Sequence, residues 1–158
     1  MLFRSLNIGM AYTRNESYEE AVKNLKIALQ MFTQEEAGPL WIINVHSELA
    51  SAYVGLKSAE DILYHAQIAL DWFETEGEFP KVWCLKYYKA IAYRLKGELD
   101  FALELLEQAR ELAKENSNSF NVYAVDIDKE VGEIWIQQGK VKAGTEMVRR
   151  AEIGRAHV

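Results

Sequence analysis

The sequence predicts an all-α fold, a right-handed superhelical solenoid of four antiparallel helix hairpins. Two observations lead to this prediction. Apolar residues recur at helical intervals, as in Ala21, Leu25 and Ala28. A pattern of small, aromatic and alanine positions also returns about every forty residues along the 158-residue chain. The first observation favours helices over strands, and the second indicates that the helices form repeated units.

Four aromatic residues mark the repeat at separations of 41, 40 and 42 positions: Tyr12, Tyr53, Tyr93 and Trp135. Three positions before each aromatic residue stands a small one, in the order Gly9, Ala50, Ala90 and Gly132. Sixteen positions after each comes an alanine, in the order Ala28, Ala69, Ala109 and Ala151. A small residue on one helix lets the other helix of a hairpin approach closely. We therefore expect antiparallel helix pairs that pack through these positions.

Turn-forming residues separate the apolar stretches and set the expected helix boundaries. The breaks carry Gly, Pro, Asn or Ser, and they are Arg14–Ser17, Gly38-Pro39, Gly77 with Pro80, Gly97-Glu98, Asn116–Ser119 and Gly139-Lys140. The predicted helices span, in order, 6–14, 18–35, 40–56, 59–75, 80–96, 99–115, 119–138 and 141–151. Taken two at a time, these helices give repeats at 6–36, 40–76, 80–116 and 119–151.

The pattern resembles the tetratricopeptide repeat (TPR) family. The match rests on Gly9-x-x-Tyr12, Ala21, Leu25 and Ala28, which occupy its Gly/Ala, Tyr, Ala, aromatic/Leu and Ala positions. The segment Gly97–Leu103 is similar to the family's Gly-Asp-Tyr-x-x-Ala turn and helix start. The period exceeds the usual one of about 34 residues. In this it resembles the longer repeats of bacterial MalT-like activators, peptide-pheromone receptors, signalling enzymes with helical sensor regions, and kinesin light chains.

The resemblance implies a non-catalytic scaffold that binds a protein or peptide partner, as the sensor or interaction part of a larger bacterial signalling or regulatory protein. It also implies a concave wall built from the first helix of each hairpin. The candidate binding residues on that wall are Asn7, Met10, Asn44, Ser47, Ser51, Tyr87, Ile91, Arg94, Lys129 and Glu133. Among them, the stripe of Tyr87, Ile91 and Arg94 is the expected anchor, because aromatic residues and arginine dominate binding hot spots.

Three alternatives stay open at this point. Tyr87 and Ile91 are equally compatible with simple packing against neighbouring helices. The chain is also compatible with the sensor region of an enzyme, such as a nucleotide cyclase or kinase, whose catalytic domain lies elsewhere. A purely structural oligomerisation array is the third alternative, and exposed apolar surface on the terminal hairpins would promote such self-association.

Composition narrows the possible partners. The chain has 18 basic and 24 acidic residues, a net charge of −6 that argues against tight binding to nucleic acid or to anionic membranes. One cysteine, Cys84, leaves no intrachain disulfide framework. The longest apolar runs, such as Leu40–Ile43, are too short to span a bilayer. We therefore expect a cytoplasmic protein that binds neither nucleic acid nor membranes.

No catalytic or metal-binding constellation is predicted. His46 and His65 lie nineteen positions apart and lack the His-Glu-x-x-His spacing, and Cys84 has no second cysteine for a metal site. Gly139-Lys140 lacks the upstream glycine and the hydroxyl residue of a phosphate-binding loop. We expect no enzyme activity, no metal and no cofactor in this segment.

Some residues depart from the apolar pattern of the repeat. His46, Lys86 and Asp128 stand in successive repeats at a position that is normally bulky and apolar. Burying such groups without partners costs several kcal/mol, roughly 2–7 for a polar group. Lys89 occupies another position that is usually apolar. Either the first helix of the third repeat is rotated, or these side chains pair or reach solvent through their long stems. Of these we favour an ion pair between Lys86 and Asp128 that joins neighbouring repeats.

Both ends of the chain resemble translated sequencing-adapter DNA. Leu2–Ser5 can be encoded by CTC TTC CGA TCT, and Glu152–Val158 by GAG ATC GGA AGA GCA CAC GTC. The first string is the reverse complement of part of the second. We therefore expect 1–5 and 152–158 to be adapter-derived, and 6–151 to be the repeat array of a metagenomic fragment.

Overall fold

A computed structural model describes residues 2–76, 81–116 and 120–157 of the chain. In these residues it contains eight α-helices and no strand, which confirms the predicted all-α repeat fold. The helices are α1 (Leu2–Arg14), α2 (Tyr18–Gln34), α3 (Pro39–Leu56), α4 (Ala59–Glu76), α5 (Val82–Lys96), α6 (Leu99–Asn116), α7 (Phe120–Gln137) and α8 (Val141–Ala156). The predicted turn residues Gly77, Pro80 and Ser117–Ser119 lie outside the described residues.

Two helix ends differ from the prediction by more than two residues. Helix α1 begins at Leu2 rather than at residue 6, and α8 ends at Ala156 rather than at residue 151. Phe3 contributes to the earlier start, because its ring packs edge-on against Phe32 and Trp41, with centroids 5.5 and 4.7 Å apart. Arg155 pairs with Asp126 of α7 at the other end.

The chain forms two compact units, unit 1 (Met1–Glu78) and unit 2 (Phe79–Val158). In unit 1, α1 pairs with α2 and α3 pairs with α4, while α2 also packs against α3. Fully buried apolar side chains on the facing surfaces hold these helices together. The largest of them are Leu25, Phe32, Val45, Leu49 and Ile62.

Unit 2 repeats this arrangement with α5 against α6, α7 against α8, and α6 against α7. Its core includes a cluster of buried residues: Ala90, Ala102, Leu105, Leu106, Ala109, Ile127 and Ile134. Within each unit the first helices of the two hairpins are also neighbours, α1 beside α3 and α5 beside α7. The first helices, α1, α3, α5 and α7, are the elements that carry the predicted binding residues.

Every hairpin turn has a residue with positive φ four positions after the repeat aromatic. These residues are Glu16 (φ 59°), Lys57 (55°), Gly97 (82°) and Gly139 (83°). The next residue along the chain donates its backbone N–H to the carbonyl of the aromatic residue, at 2.9 Å for Tyr12, 3.2 Å for Tyr53, 2.9 Å for Tyr93 and 2.8 Å for Trp135. Such a left-handed turn with a six-to-one hydrogen bond is a standard way to end a helix. The period read from the sequence is therefore also a period in the backbone.

The small residues before the aromatic ones permit close helix contact, as predicted. A Cβ atom on Gly9 would lie 2.7 Å from Cγ of Leu25 on the paired helix. On Gly132 it would lie 2.8 Å from the carbonyl oxygen of Gly144, and on Gly144 2.5 Å from that of Gly132. In the last hairpin, two glycines thus bring the backbones of α7 and α8 into direct contact.

The predicted Lys86–Asp128 pair is wrong. Asp128 instead accepts a hydrogen bond from Nη2 of Arg110 at 2.5 Å, and this ion pair joins α7 to α6. The ammonium of Lys86 donates to Oε1 of Gln108, 3.0 Å away on the paired helix α6. The sequence correctly indicated that both residues need polar partners, but the repeat period does not determine which side chain comes within reach.

Candidate partner-binding face

All ten predicted binding residues lie on first helices. Asn7 and Met10 belong to α1, and Asn44, Ser47 and Ser51 belong to α3, both in unit 1. The remaining five divide between α5 and α7 of unit 2: Tyr87, Ile91, Arg94, Lys129 and Glu133. Since each unit is a separate compact body, the two groups form two candidate faces.

In unit 1 the predicted residues differ widely in exposure. Asn7 is exposed, while Met10, Asn44 and Ser51 are half-buried. Ser47 is buried, and its hydroxyl donates to the carbonyl of Ile43 one turn earlier, at 3.1 Å. Serine often bonds to the preceding turn of its own helix in this way. Ser47 therefore contributes to the packing of α3, and Asn7 offers the most accessible polar group of this set.

In unit 2 an ion pair joins the two first helices. Nε of Arg94 lies 2.8 Å from Oε2 of Glu130, and the side chains are only 17% and 12% exposed. Partial burial strengthens a charge-assisted hydrogen bond, because less water competes for either group. The pair therefore fixes the guanidinium of α5 against α7 and gives this face a defined polar centre.

Tyr87 lies two turns before Arg94 on the same helix, and the charges of the pair affect its pKa. Burial raises the pKa of the Tyr87 phenol, and the nearby carboxylate of Glu130 and the ring of Tyr88 raise it further. Arg155 and Arg94 act in the opposite direction. The phenol is therefore neutral over the physiological pH range and keeps its hydroxyl proton, so it can both donate and accept a hydrogen bond.

The expected stripe of Tyr87, Ile91 and Arg94 is narrower than the sequence suggested. Ile91 is buried, so its side chain packs inside unit 2. Tyr87 and Arg94 retain partial exposure, as do Lys129 and Glu133 on α7. We use the name α5–α7 face for the surface that consists of Tyr87, Arg94, Lys129, Glu130 and Glu133.

Glu130 is a candidate residue of this face that the sequence did not single out. It stands next to Lys129 in an acidic stretch of α7, and no spacing rule distinguishes it from Glu133. The only signal lies in three dimensions, where the register of α7 against α5 brings Glu130 to Arg94.

A second concave surface of unit 2 lies outside the α5–α7 face. It is a groove of about 440 Å³, lined by Lys86, Glu104, Glu107, Gln108, Glu111 and Leu112. Most of its lining comes from α6, the second helix of its hairpin. Its charged rim is internally bonded, since Lys86 donates to Gln108 and Gln108 donates to Glu104 at 3.2 Å.

These surfaces present hydrogen-bonding and aromatic groups. Tyr87 offers an aromatic ring with a hydroxyl group, and Arg94 offers guanidinium N–H donors beside a carboxylate. Over residues 2–76, 81–116 and 120–157, no three His, Cys, Asp or Glu side chains are grouped so as to hold a metal ion. In the same ranges, no helix combines the length and the apolar character that crossing a membrane requires.

Comparison with solved structures gives the same fold. A Podosopora anserina protein described as kinesin light chain, with nearly identical TPR-like repeats, superposes with a TM-score of 0.69 at 19% identity. The match covers 99% of this chain and 76% of that one. A second structure of that description gives a TM-score of 0.45 at 15% identity, over 99% of this chain and 95% of the other.

Comparison by sequence finds no relative: no family model matches this chain, and neither does any curated protein. At an identity as low as 19%, a structural likeness shows the fold alone. The chain therefore has a TPR-like helical repeat fold, and its function has to be argued from its own surfaces.

Proposed function

We propose that this chain is a non-catalytic scaffold that binds a protein or peptide partner on the α5–α7 face of unit 2. The observation that carries the proposal is the ion pair of Arg94 and Glu130, held beside Tyr87 at partial exposure. An ordered arginine next to an aromatic ring resembles the centre of many binding interfaces. Because the ion pair already fixes the guanidinium, little side-chain entropy remains to be lost when a partner binds.

The face suits a polypeptide partner. The guanidinium has five N–H donors in a fixed plane, and its bond to Glu130 uses Nε. Other donors of the same group can bond a partner's carbonyl or carboxylate oxygens, while the Tyr87 ring covers an apolar side chain. Lys129 and Glu133 add one charge of each sign on α7, which favours a partner of mixed charge.

The proposed binding role extends to the larger protein of which this chain would be a part. We propose that the chain is the interaction or sensor part of a larger cytoplasmic signalling or regulatory protein of bacterial origin. Support comes from the long repeat period, which resembles that of such proteins. A bound partner would then act by shifting the balance between conformations of the repeat array.

A peptide-display experiment tests the proposal. Random peptides displayed on phage are selected against the full chain, and the selected peptides are measured against the variants Tyr87→Ala and Arg94→Ala. Loss of a hot-spot side chain typically costs about 2 kcal/mol or more, so we expect each variant to weaken binding at least about tenfold. A thermal melt of each variant shows whether it stays folded, and Tyr87→Phe provides a milder change at the same position.

Matched controls identify the surface that binds. Tyr64→Ala removes an exposed tyrosine from the second helix α4, and Arg150→Ala removes an exposed arginine from α8. Both should leave affinity unchanged. Glu111→Ala probes the groove on α6. Peptides whose affinity falls in Glu111→Ala but is unchanged in Tyr87→Ala and Arg94→Ala would contradict the assignment of binding to the α5–α7 face.

Self-association is the second candidate function, and one observation favours it. Leu40 and Trp41, at the start of α3, are 39% and 41% exposed, which is unusual for large apolar residues so close together. A sedimentation coefficient that rises with protein concentration, and stops rising in Trp41→Lys, would support a structural array. A monomer at every concentration would contradict it. The enzyme-linked alternative depends on the sequence of the parent protein rather than on these residues.

A further inference from the structure

Two histidines face each other inside unit 1. Nδ1 of His46 on α3 lies 2.8 Å from Nδ1 of His65 on α4, and the residues are only 8% and 6% exposed. A hydrogen bond between two ring nitrogens needs one donor and one acceptor. The two rings must therefore be opposite tautomers, one with its proton on Nδ1 and the other with its proton on Nε2.

Two aromatic rings pack against one member of the pair. The ring of Tyr53 stacks on that of His65 with centroids 5.6 Å apart and planes 9° apart, and the exposed Tyr64 meets His65 edge-on at 5.0 Å. The His46 and His65 rings are themselves 5.0 Å apart. Because both histidines are almost fully shielded from water, a positive charge on either ring would be poorly solvated, and the site favours the neutral form of both rings.

The charged groups near the pair partly oppose each other. Burial is the main cause that lowers the pKa of His65 to about 4, and His46 and Lys26 of α2 lower it as well. Asp61, one turn earlier on α4, raises it. Burial also lowers the pKa of His46. Asp61 is itself held by the hydroxyl of Ser58 at 2.5 Å, which makes it a weaker counter-charge for an imidazolium.

We propose that the His46–His65 pair is an acid-sensitive latch that holds α3 to α4 when neutral and releases them when protonated. The first added proton can reach only a free Nε2 atom, and it places a charge among aromatic rings. A second proton must occupy the accepting Nδ1, so that two N–H donors would face each other across 2.8 Å. The hydrogen bond then becomes a repulsion between two buried N–H groups, and the hairpin opens at this contact.

The direction of the pH effect follows from proton binding. In the unfolded chain His65 has an ordinary pKa of 6.5, whereas in the folded hairpin it is about 4. Between these values the unfolded state binds more protons, so the stability of unit 1 falls as the pH falls through that window. Above this pH window, both rings are neutral in the folded and in the unfolded chain, so they add no pH dependence to the stability of unit 1.

Denaturant unfolding as a function of pH tests the latch. From about pH 7.5 to about pH 5, we expect the unfolding equilibrium constant of unit 1 to rise about 30-fold because of His65 alone. The double variant His46→Leu with His65→Leu should lose that part of the pH dependence, since leucine occupies the site without titrating. His157→Gln changes the exposed third histidine and should leave the wild-type profile unaltered. An identical pH profile in the double variant would overturn the proposal.

Two further measurements keep the proposal testable if the double variant does not fold. Imidazole ¹⁵N spectra of the unmodified chain near neutral pH should show one Nδ1–H and one Nε2–H tautomer, and neither ring should titrate near its ordinary pKa. Backbone amide protection should fall on acidification first in α3 and α4, before α5–α8. Two rings of the same tautomer, or uniform loss of protection in both units, would contradict a latch at this pair.

Discussion

The two units of the molecule treat the same repeat position in opposite ways. In unit 1 the position holds His46, a buried residue whose Nδ1 lies 2.8 Å from Nδ1 of His65. In unit 2 it holds Lys86 and Asp128, which are half-buried and hydrogen-bonded to Gln108 and Arg110. The comparison shows that polar side chains at this position have hydrogen-bond partners in both units, in a buried histidine pair in one and in half-buried contacts of charged residues in the other.

The units also differ in how they form the turn and the helix contact. The turns of unit 1 place Glu16 and Lys57 at positive φ, whereas those of unit 2 place Gly97 and Gly139 there. Non-glycine residues in this conformation cost about 1–2 kcal/mol each. Glycines permit close contacts in both units, but at Gly9 and Gly55 of unit 1 a Cβ would meet side chains first, whereas at Gly132 and Gly144 it would meet the backbone of the paired helix. The two units therefore differ in turn conformation and in what the glycines contact.

The largest expected loss of stability comes from crowding the close helix contacts within the hairpins. Gly144→Ala should destabilise unit 2 by about 2–3 kcal/mol, because its Cβ would lie 2.5 Å from a backbone oxygen that cannot move aside. Gly9→Ala in unit 1 should cost less, about 1–2 kcal/mol, because its Cβ meets Cγ of the buried Leu25 side chain at 2.7 Å, and a side chain can shift more readily than a backbone oxygen. Urea unfolding of both variants measures the difference.

Gly38→Ala is the control for this comparison, because its backbone is extended and a Cβ there meets nothing within 4 Å. It should change stability by less than about 0.5 kcal/mol. Equal losses for Gly9→Ala and Gly144→Ala would mean that the two hairpins tolerate crowding equally, and the distinction between the units would fail.

The next largest loss of stability distinguishes two ion pairs of unit 2, Arg94–Glu130 and Arg110–Asp128. Glu130→Ala should cost about 2 kcal/mol, because it leaves the mostly buried guanidinium of Arg94 without its carboxylate. Asp128→Ala should cost at most about 1 kcal/mol, since Arg110 and Asp128 are 23% and 35% exposed. Raising the salt concentration to about 1 M should weaken the second pair more than the first. Thermal unfolding at low and high salt measures both; a larger loss for Asp128→Ala would reverse the ranking.

The smallest effect concerns the turns. Lys57→Gly should stabilise unit 1 by about 1 kcal/mol, because glycine adopts a φ of 55° without steric cost. The reciprocal change in unit 2, Gly97→Lys, should destabilise it by a similar amount at a φ of 82°. Denaturation midpoints of the pair provide the measurement, and a loss of stability in Lys57→Gly would show that the lysine side chain contributes more than its backbone costs.

Much of the fold could be predicted because its determinants are local or periodic. The positions of Gly9, Ala28 and Tyr12 follow from what one hairpin needs, and every repeat needs the same. Helix boundaries followed from turn residues, and six of the eight described helices agree with the prediction to within two residues at both ends. The earlier start of α1 could not be foreseen from periodicity, since it depends on Phe3 meeting two aromatic rings.

The polar contacts of the candidate site were harder to predict for a physical reason. Arg94 was expected on the binding face, but its partner Glu130 lies 36 positions away on another first helix. Which carboxylate meets a guanidinium depends on side-chain register between helices, to within about an ångström, and the repeat period does not contain that information. The histidine pair was not predicted either, because His46 stands 11 positions before Lys57 and His65 stands 8 positions after it, and only the packing of α3 against α4 brings the two rings together.

The turn geometry bears on how such a chain can diverge. Each hairpin closes through a bond between main-chain atoms, so the identity of the turn residue matters only through the dihedral angle it permits. Substitutions can therefore accumulate there over evolutionary time without altering the architecture, provided that a handful of small side chains is retained. Repeat arrays of this kind will therefore lose detectable sequence similarity long before they lose structural similarity. Three-dimensional comparison then detects their relationships over longer evolutionary times.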